Sequence, residues 1–416
     1  MNISNTALSK IVALTLIGTV LTVLVAGSIS VTVSNKNRIV MGVQAHGIPI
    51  AGMSKSDAHK FFTELAASKL RRKAAVLSYK ERIFQIDPAD INLHGNVDEA
   101  VEAAYRIGRQ GTPAENLISQ MWCAIFGKNV TMDASFDEQL LNSQLQQIKA
   151  AIDTPPINGT VILQADGSIK KTPAVTGLSL DITPLAEEMT PDFKTFNITV
   201  KKELIPTEQP PFIQNNDLAA IDGILGSYTT SFYPGDRGDN IGLAASHLQG
   251  ALVRSGSTLS FNSVVGPRTH AAGYKNAGVI VYGEHAIDVG GGVCQVSSTL
   301  YNAILLAGLT PVERTGHFAS SSYVPAGRDA TVADGLIDFV FRNPLPHPVY
   351  LTIGNSGSTL TIYVLGTKAD LGGKSISLIT EGSTMHPSLY RLWLQNGQVI
   401  EKEFLHTDAY ETLKHT

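Results

Sequence analysis

Charge is scarce in this sequence: 16% of its 416 residues are Asp, Glu, Lys or Arg, and the formal net charge is −4. No long basic run occurs, which excludes the electrostatic footprint of a nucleic-acid binder. Cysteine is scarcer still. Only Cys123 and Cys294 occur, where a disulfide-stapled secreted scaffold would carry many more. The histidines are scattered and no Cys/His spacing forms a ligand set, so no metal is implied. The one glycine run is not followed by Gly-Lys-Ser/Thr, so it is not a phosphate loop, and no cofactor is called for.

Apolar residues make up 43% of the chain, the fraction of a folded globular protein, and the length suggests roughly two to four domains. After Lys10 an almost uninterrupted apolar run extends from Ile11 to Val33, with no charged side chain until Lys36. A spanning helix needs roughly 20 such residues. A cleaved leader has a shorter run of about 7–15, ending at a small-x-small site, and Val25-Ala26-Gly27 is a poor version of one. Residues 1–38 are therefore expected to form an N-terminal transmembrane helix, an uncleaved single-pass anchor.

Two segments with related patterns follow, an offset that signals duplication. In residues 39–125, Ser54 opens a helix carrying Phe61, Phe62 and Leu65, and Ala75–Tyr79 with Ile83–Ile86 reads as a strand pair. In residues 126–205, Phe136, Leu140, Leu141, Leu145 and Ile148 mark the helix, and a hairpin turns at Asp166-Gly167. Cys123, beside Trp122, reads as a buried core thiol. Three prolines between Pro206 and Pro211 mark a linker, residues 206–216. A C-terminal α+β domain is expected over 217–370. Residues 371–416 form a tail with a hairpin signal at Asn396-Gly397.

The most unusual stretch runs from Asp288 through Gly290-Gly291-Gly292-Val293-Cys294 to Thr299. Consecutive glycines open backbone conformations closed to other residues and allow close approach by a substrate. A helix pattern begins at once: Val296, Leu300, Ala303, Ile304 and Ala307 share a face, and Gly308 and Pro311 end it. Cys294 thus sits at a helix N-terminus, where partial positive charge favours the thiolate and free N–H groups stabilise an oxyanion. A nucleophilic cysteine needs a base and a group that orients the base. His317, just past the strand pattern Val312–Thr315, with Asp329 downstream, is the best-placed pair; His285 and Asp288 compete with it. Arg328 and Arg268 are candidates for holding a substrate carboxylate, or for internal ion pairs.

Several stretches together resemble the VanW family: Thr258–Asn262, Val265-Gly266-Pro267-Arg268-Thr269, Gly273-Tyr274-Lys275, the glycine–cysteine segment, and Tyr323 to Val332. The resemblance covers about Tyr228 to Gly366, including Arg237 and Asn240. One departure is Arg254-Ser255-Gly256-Ser257-Thr258, where a Pro-Gly turn is expected. The upstream segments, through Gly52–Ala58 and the paired strand-to-helix stretches, resemble the peptidoglycan-binding repeat found before many VanW domains. Some members of the family are understood to be L,D-transpeptidases that make 3-3 peptidoglycan cross-links through a cysteine. The resemblance implies a single-pass protein of the cell membrane with its C-terminal part outside the cytoplasm, acting on peptidoglycan stem peptides. It implies Cys294 as nucleophile; the reading of the residues themselves sets His317 and Asp329 beside it, and Arg328, Gly291, Gly292, Tyr323 and Arg268 at the substrate. The alternatives are a cysteine peptidase or amidase of the same fold, and a non-catalytic wall-binding or glycopeptide-resistance accessory protein.

Overall fold

The computed structural model describes residues 12–19, 22, 33, 35–281 and 284–412. The chain forms two compact units. One comprises residues 1–155 with 178–208, the other 156–177 with 209–416.

The expected transmembrane helix is corrected by the structure. Among the described residues no helix is long and apolar enough to cross a membrane. Within the apolar run the continuous described helix covers residues 12–19. Eight residues rise about 12 Å, well short of the roughly 30 Å of a bilayer core. Most of the remaining run lies outside the described residues. The fold class is a mixed α+β chain with no spanning helix among those residues.

In the first unit, Ser54 starts helix Lys55–Leu70 with a capping box. Its side chain accepts the Asp57 N–H while the Asp57 carboxylate accepts the Ser54 N–H, satisfying two otherwise orphaned donors. The helix buries Ala58, Phe62 and Ala66. Strands Ala75–Tyr79 and Arg82–Ile86 pair antiparallel, and Lys201–Glu203 runs parallel beside the first. Helices Val97–Arg106, Pro113–Phe126, Glu138–Ile152 and Thr183–Lys194 complete the unit around a core that includes Phe62, Leu77, Leu145 and Phe193. Cys123 is buried there, and burial pushes its thiol up.

The second unit begins with the hairpin Thr160–Leu163 and Ile169–Thr172, which turns at Asp166-Gly167. Val161 from this hairpin is buried with Ile213, Leu218, Ile221, Tyr350 and Leu365. The elements that position the site are β1 (Gly223–Ser231), α1 (Asp236–Leu248), β2 (Asn276–Val281), β3 (Glu284–Val289), α2 (Val293–Leu306), β4 (Val349–Asn355) and β5 (Thr359–Gly366). β5 lies between β1 and β4 in an antiparallel sheet. Helix α2 packs against β1, β5 and α1. Gly226 lets the sheet approach it, since a Cβ there would meet Ala303 O at 2.7 Å.

Every described side chain of α2 except Cys294 and Leu306 is buried, including Ser297, Ser298, Thr299 and Asn302. Buried hydroxyls and amides need partners: Ser297, Ser298 and the Asn302 amide nitrogen bond the chain that wraps the helix, and Thr299 bonds Thr230 of β1 and Gln295 O. The last three strands, β6 (Ser375–Gly382), β7 (Pro387–Gln395) and β8 (Gln398–Thr407), form an antiparallel sheet. Asn396 and Gly397 both have positive φ in the two-residue turn between β7 and β8, as a tight hairpin requires. Leu378 and Leu389 of this sheet join the same core as α2. Arg391 donates to the carbonyl of Leu309 at 2.8 Å, placing a cation past the C-terminal end of α2.

Candidate active site

The glycine turn is shaped by what surrounds it. Gly290 and Gly292 adopt φ of +80° and +112°, conformations that L side chains rarely adopt. A Cβ on Gly291 would meet Ala277 O at 2.6 Å, and one on Gly292 would meet Arg237 O at 3.0 Å. The space on the Cβ side of Gly291 and Gly292 is thus filled by β2 and α1. Buried Asn240 fixes the turn: its Nδ2 donates to Gly291 O at 3.0 Å and Lys275 O at 2.9 Å, and its Oδ1 accepts the Lys275 N–H at 2.8 Å.

Gly292 is the N-cap of α2, so Cys294 lies in its first turn. Val293 and Gln295 N–H groups donate back to the carbonyls of Gly290 and Gly292, and the Cys294 N–H makes no hydrogen bond among the described residues. The thiol is half-buried and donates to Val332 O at 3.4 Å. Burial pushes it up, but a hydrogen bond to His317 and the charges of His317 and Arg268 outweigh this, so it lies below its ordinary value.

The residues 314–332 fold back over α2. Ser297 Oγ donates to Ala330 O at 2.6 Å, Ser298 Oγ accepts the Ala330 N–H at 2.9 Å, and Asn302 Nδ2 donates to Arg328 O at 2.7 Å. This clamp brings His317 and Asp329 to the cysteine. The His317 imidazole Nδ1 donates to Asp329 Oδ2 at 2.6 Å, which orients the ring, and the imidazole lies near enough to Cys294 for each to shift the other's titration. Burial would lower His317, but Asp329 and Cys294 override it and hold the imidazole up at about 9. Asp329, 1% exposed, would be raised by burial, yet bonds to His317 and Tyr410 and the charge of Arg314 bring it down to about 2.

Other expected site residues are placed differently from one another. The Tyr323 hydroxyl stands 3.4 Å from His317 Nε2, and burial pushes it up, keeping it protonated. Arg268 lies close enough to act on the thiol, while its guanidinium donates to Asn262 Oδ1 at 2.9 Å and pairs with Asp334 at 2.5 Å. Arg328 turns away: its Nη2 donates to Leu378 O at 2.5 Å, on β6. Of the competing pair, the His285 side chain lies outside the described residues, and exposed Asp288 bonds the N–H of Val289.

Three residues of the centre escaped the sequence reading. Arg314 donates to the Asp329 carbonyl at 2.7 Å and grips Asp408 with two bonds of 2.5 and 2.8 Å. Tyr410 donates to Asp329 Oδ1 and accepts the Gly327 N–H at 2.8 Å. Arg314 stood in the recognised strand pattern, but nothing local marks Asp408 or Tyr410, which follow β8.

Comparison with known proteins gives two family matches. Residues 236–365 match the family described as "VanW like protein", and residues 84–190 match "Putative peptidoglycan binding domain". The first match contains Cys294, His317 and Asp329 and ends before Asp408 and Tyr410. Over 140 residues, 33% of this chain, it is 46% identical to "Uncharacterized protein YoaR" of Bacillus subtilis. Over 130 residues, 29% of this chain, it is 33% identical to "Vancomycin B-type resistance protein VanW" of Enterococcus faecalis. The matched stretches span 46% and 47% of those relatives, so the chain covers about half their length. No solved structure matches it.

Proposed function

From the premise that this chain carries a VanW-like domain downstream of a peptidoglycan-binding match, we propose that its second unit is a cysteine acyltransferase of the L,D-transpeptidase type. Its substrates are peptidoglycan stem peptides. Action on wall peptides puts this unit outside the cytoplasm, and the upstream match supports peptidoglycan as its partner.

The observation that carries the reading is the Cys294–His317–Asp329 line at the start of a buried helix. The Cys294 thiolate attacks a stem-peptide carbonyl, and the resulting oxyanion is met by the unpartnered Cys294 N–H at the positive end of α2. The His317 imidazolium gives its proton to the leaving nitrogen as the C–N bond breaks, releasing the terminal D-alanine and leaving a thioester on Cys294. Neutral His317 then takes a proton from the incoming side-chain amine as it attacks the thioester. Collapse frees the Cys294 thiolate and restores the imidazolium, with a 3-3 cross-link formed. Asp329 orients and stabilises the imidazolium throughout.

The test is intact-mass analysis of the full chain incubated with a tetrapeptide muropeptide or a carbapenem, beside the Cys294→Ala and His317→Ala variants. An acyl adduct that requires Cys294, and forms more slowly without His317, supports the reading. No adduct, with wall binding unchanged in Cys294→Ala, would overturn it in favour of a binding protein.

A further inference from the structure

We propose that Tyr410, outside the matched VanW-like segment, is a positioning residue of the catalytic centre, holding Asp329 in the orientation that polarises His317. The proposal rests on the reading of Cys294, His317 and Asp329 as a nucleophile, base and orienting group. It extends that centre to the end of β8.

The geometry divides the Asp329 carboxylate into two halves. Oδ2 serves His317 alone, accepting its backbone N–H at 2.7 Å and its Nδ1 at 2.6 Å. Oδ1 faces the other way, toward the Tyr410 hydroxyl and toward Arg314 Nη2 at 3.3 Å. The Arg314 contact is long, so Tyr410 is the close partner of this oxygen. The same hydroxyl accepts the N–H of Gly327, two residues before Asp329. One atom therefore ties both the carboxylate and the backbone that carries it. Removing that atom frees the carboxylate to rotate and weakens its line to Nδ1.

Tyr410 is itself fixed. It is 4% exposed, and its N–H donates to Met385 O at 2.8 Å. Two residues earlier, Asp408 forks onto Arg314 through both oxygens, and its N–H donates to Pro387 O at 3.0 Å at the start of β7. The groups facing the carboxylate are thus His317 and Arg314 from the wrapping loop and Tyr410 from the segment after β8; Asp408 and His406 stand behind Arg314. This path explains why buried polar groups gather beside a half-buried thiol. They form a rigid relay of position from the sheet to the imidazole.

The experiment measures Cys294 alkylation by iodoacetamide against pH in the full chain, with the modified peptide identified by mass. Alkylation needs the thiolate but no oxyanion pocket, so it reads the Cys294–His317 pair whether or not stem peptides are substrates. In Tyr410→Phe the pH window of the thiolate–imidazolium pair should narrow from both ends, and acyl-adduct formation should slow on the order of tenfold. Ser388→Ala removes a hydroxyl from the same sheet, where it contacts Thr407, and should leave the window unchanged. Incorporating a fluorotyrosine at 410, a stronger donor, should widen the window and keeps the test valid if the phenylalanine variant fails to fold. An unchanged or widened window in folded Tyr410→Phe overturns the proposal. If wild-type Cys294 alkylates as an ordinary thiol, both this proposal and the acyltransferase reading fall. A lack of stem-peptide adducts with a Tyr410-dependent window removes only the latter.

Discussion

One oxygen of Asp329 meets His317 twice, accepting the backbone N–H at 2.7 Å and the ring Nδ1 at 2.6 Å. The two bonds fix both where the histidine sits and which ring nitrogen Asp329 engages. An imidazole held in this way cannot rotate about its side chain without breaking a charge-assisted bond.

Asp329→Asn preserves the shape but not the acceptor pair. The amide would present a donor to Nδ1 or force the other tautomer, as in hydrolase triads where this change costs about 10⁴ in rate. Acyl-adduct formation at neutral pH is expected to fall about 10³-fold or more, measured by rapid-quench mass spectrometry.

Stability should follow the titration of His317. Its imidazole is held up at about 9 from an ordinary value of 6.5. That contribution is complete below about pH 6.5 and is lost as pH rises through about 9. Thermal melts between pH 6.5 and 10 should therefore decline, and the decline should be smaller in His317→Gln.

Asp329 predicts the acid side. Its carboxyl, depressed to about 2, contributes stability above its ordinary value near 3.8 and loses it as pH falls through about 2. The contribution is about 2 kcal/mol, shared with His317. Acid titration of the wild type should show this loss, and the Asp329→Asn variant should lack it.

The glycines of the turn should tolerate a side chain less well than a glycine on β2. Gly291→Ala forces a Cβ to within 2.6 Å of a backbone oxygen, and Gly292→Ala strains a φ of +112°. Each should cost about 1–3 kcal/mol in denaturant unfolding. Gly278→Ala, whose Cβ meets nothing within 4 Å, should be close to neutral.

Arg314 and Arg328 should behave differently although both lie in the wrapping segment. Arg314→Leu takes the bidentate cation from Asp408 and leaves its largely buried charge poorly compensated, and should cost about 3–5 kcal/mol. Arg328→Ala removes a bond to Leu378 O and should cost about 1 kcal/mol, with acylation changed by no more than about twofold once folding is controlled. Denaturation curves and single-turnover rates on the same samples distinguish the two.

Much of this centre is legible locally. Three glycines before a cysteine and an apolar 3.6-residue pattern after it place the thiol at a helix start, and the structure puts it in the first turn of Val293–Leu306. The downstream order His317 then Asp329 also reads from sequence, and the structure brings those side chains to within 2.6 Å. The direction of Arg328 does not read from sequence because neighbours on a non-helical loop point different ways: Asp329 faces inward while Arg328 reaches β6. Tyr410 lies 81 residues from its partner and belongs to no local period. Such contacts are set by tertiary packing, which a one-dimensional pattern does not record. The apolar run at the N-terminus shows the opposite error, where hydropathy over Ile11–Val33 suggested a spanning helix and none is present among the described residues.

The hairpin Thr160–Thr172 gives the chain an order of manufacture. It belongs to the second unit but is written into the gene between two parts of the first. A ribosome therefore delivers it before the strands carrying Tyr350 and Leu365, against which Val161 is buried, and it must wait while residues 178–208 complete the other unit. A chain begun at residue 209 would leave that apolar cluster uncovered, so no single cut yields the second unit whole. Such a fragment is expected to melt below the full chain's second unit, and adding the hairpin as a separate peptide should raise its melting temperature.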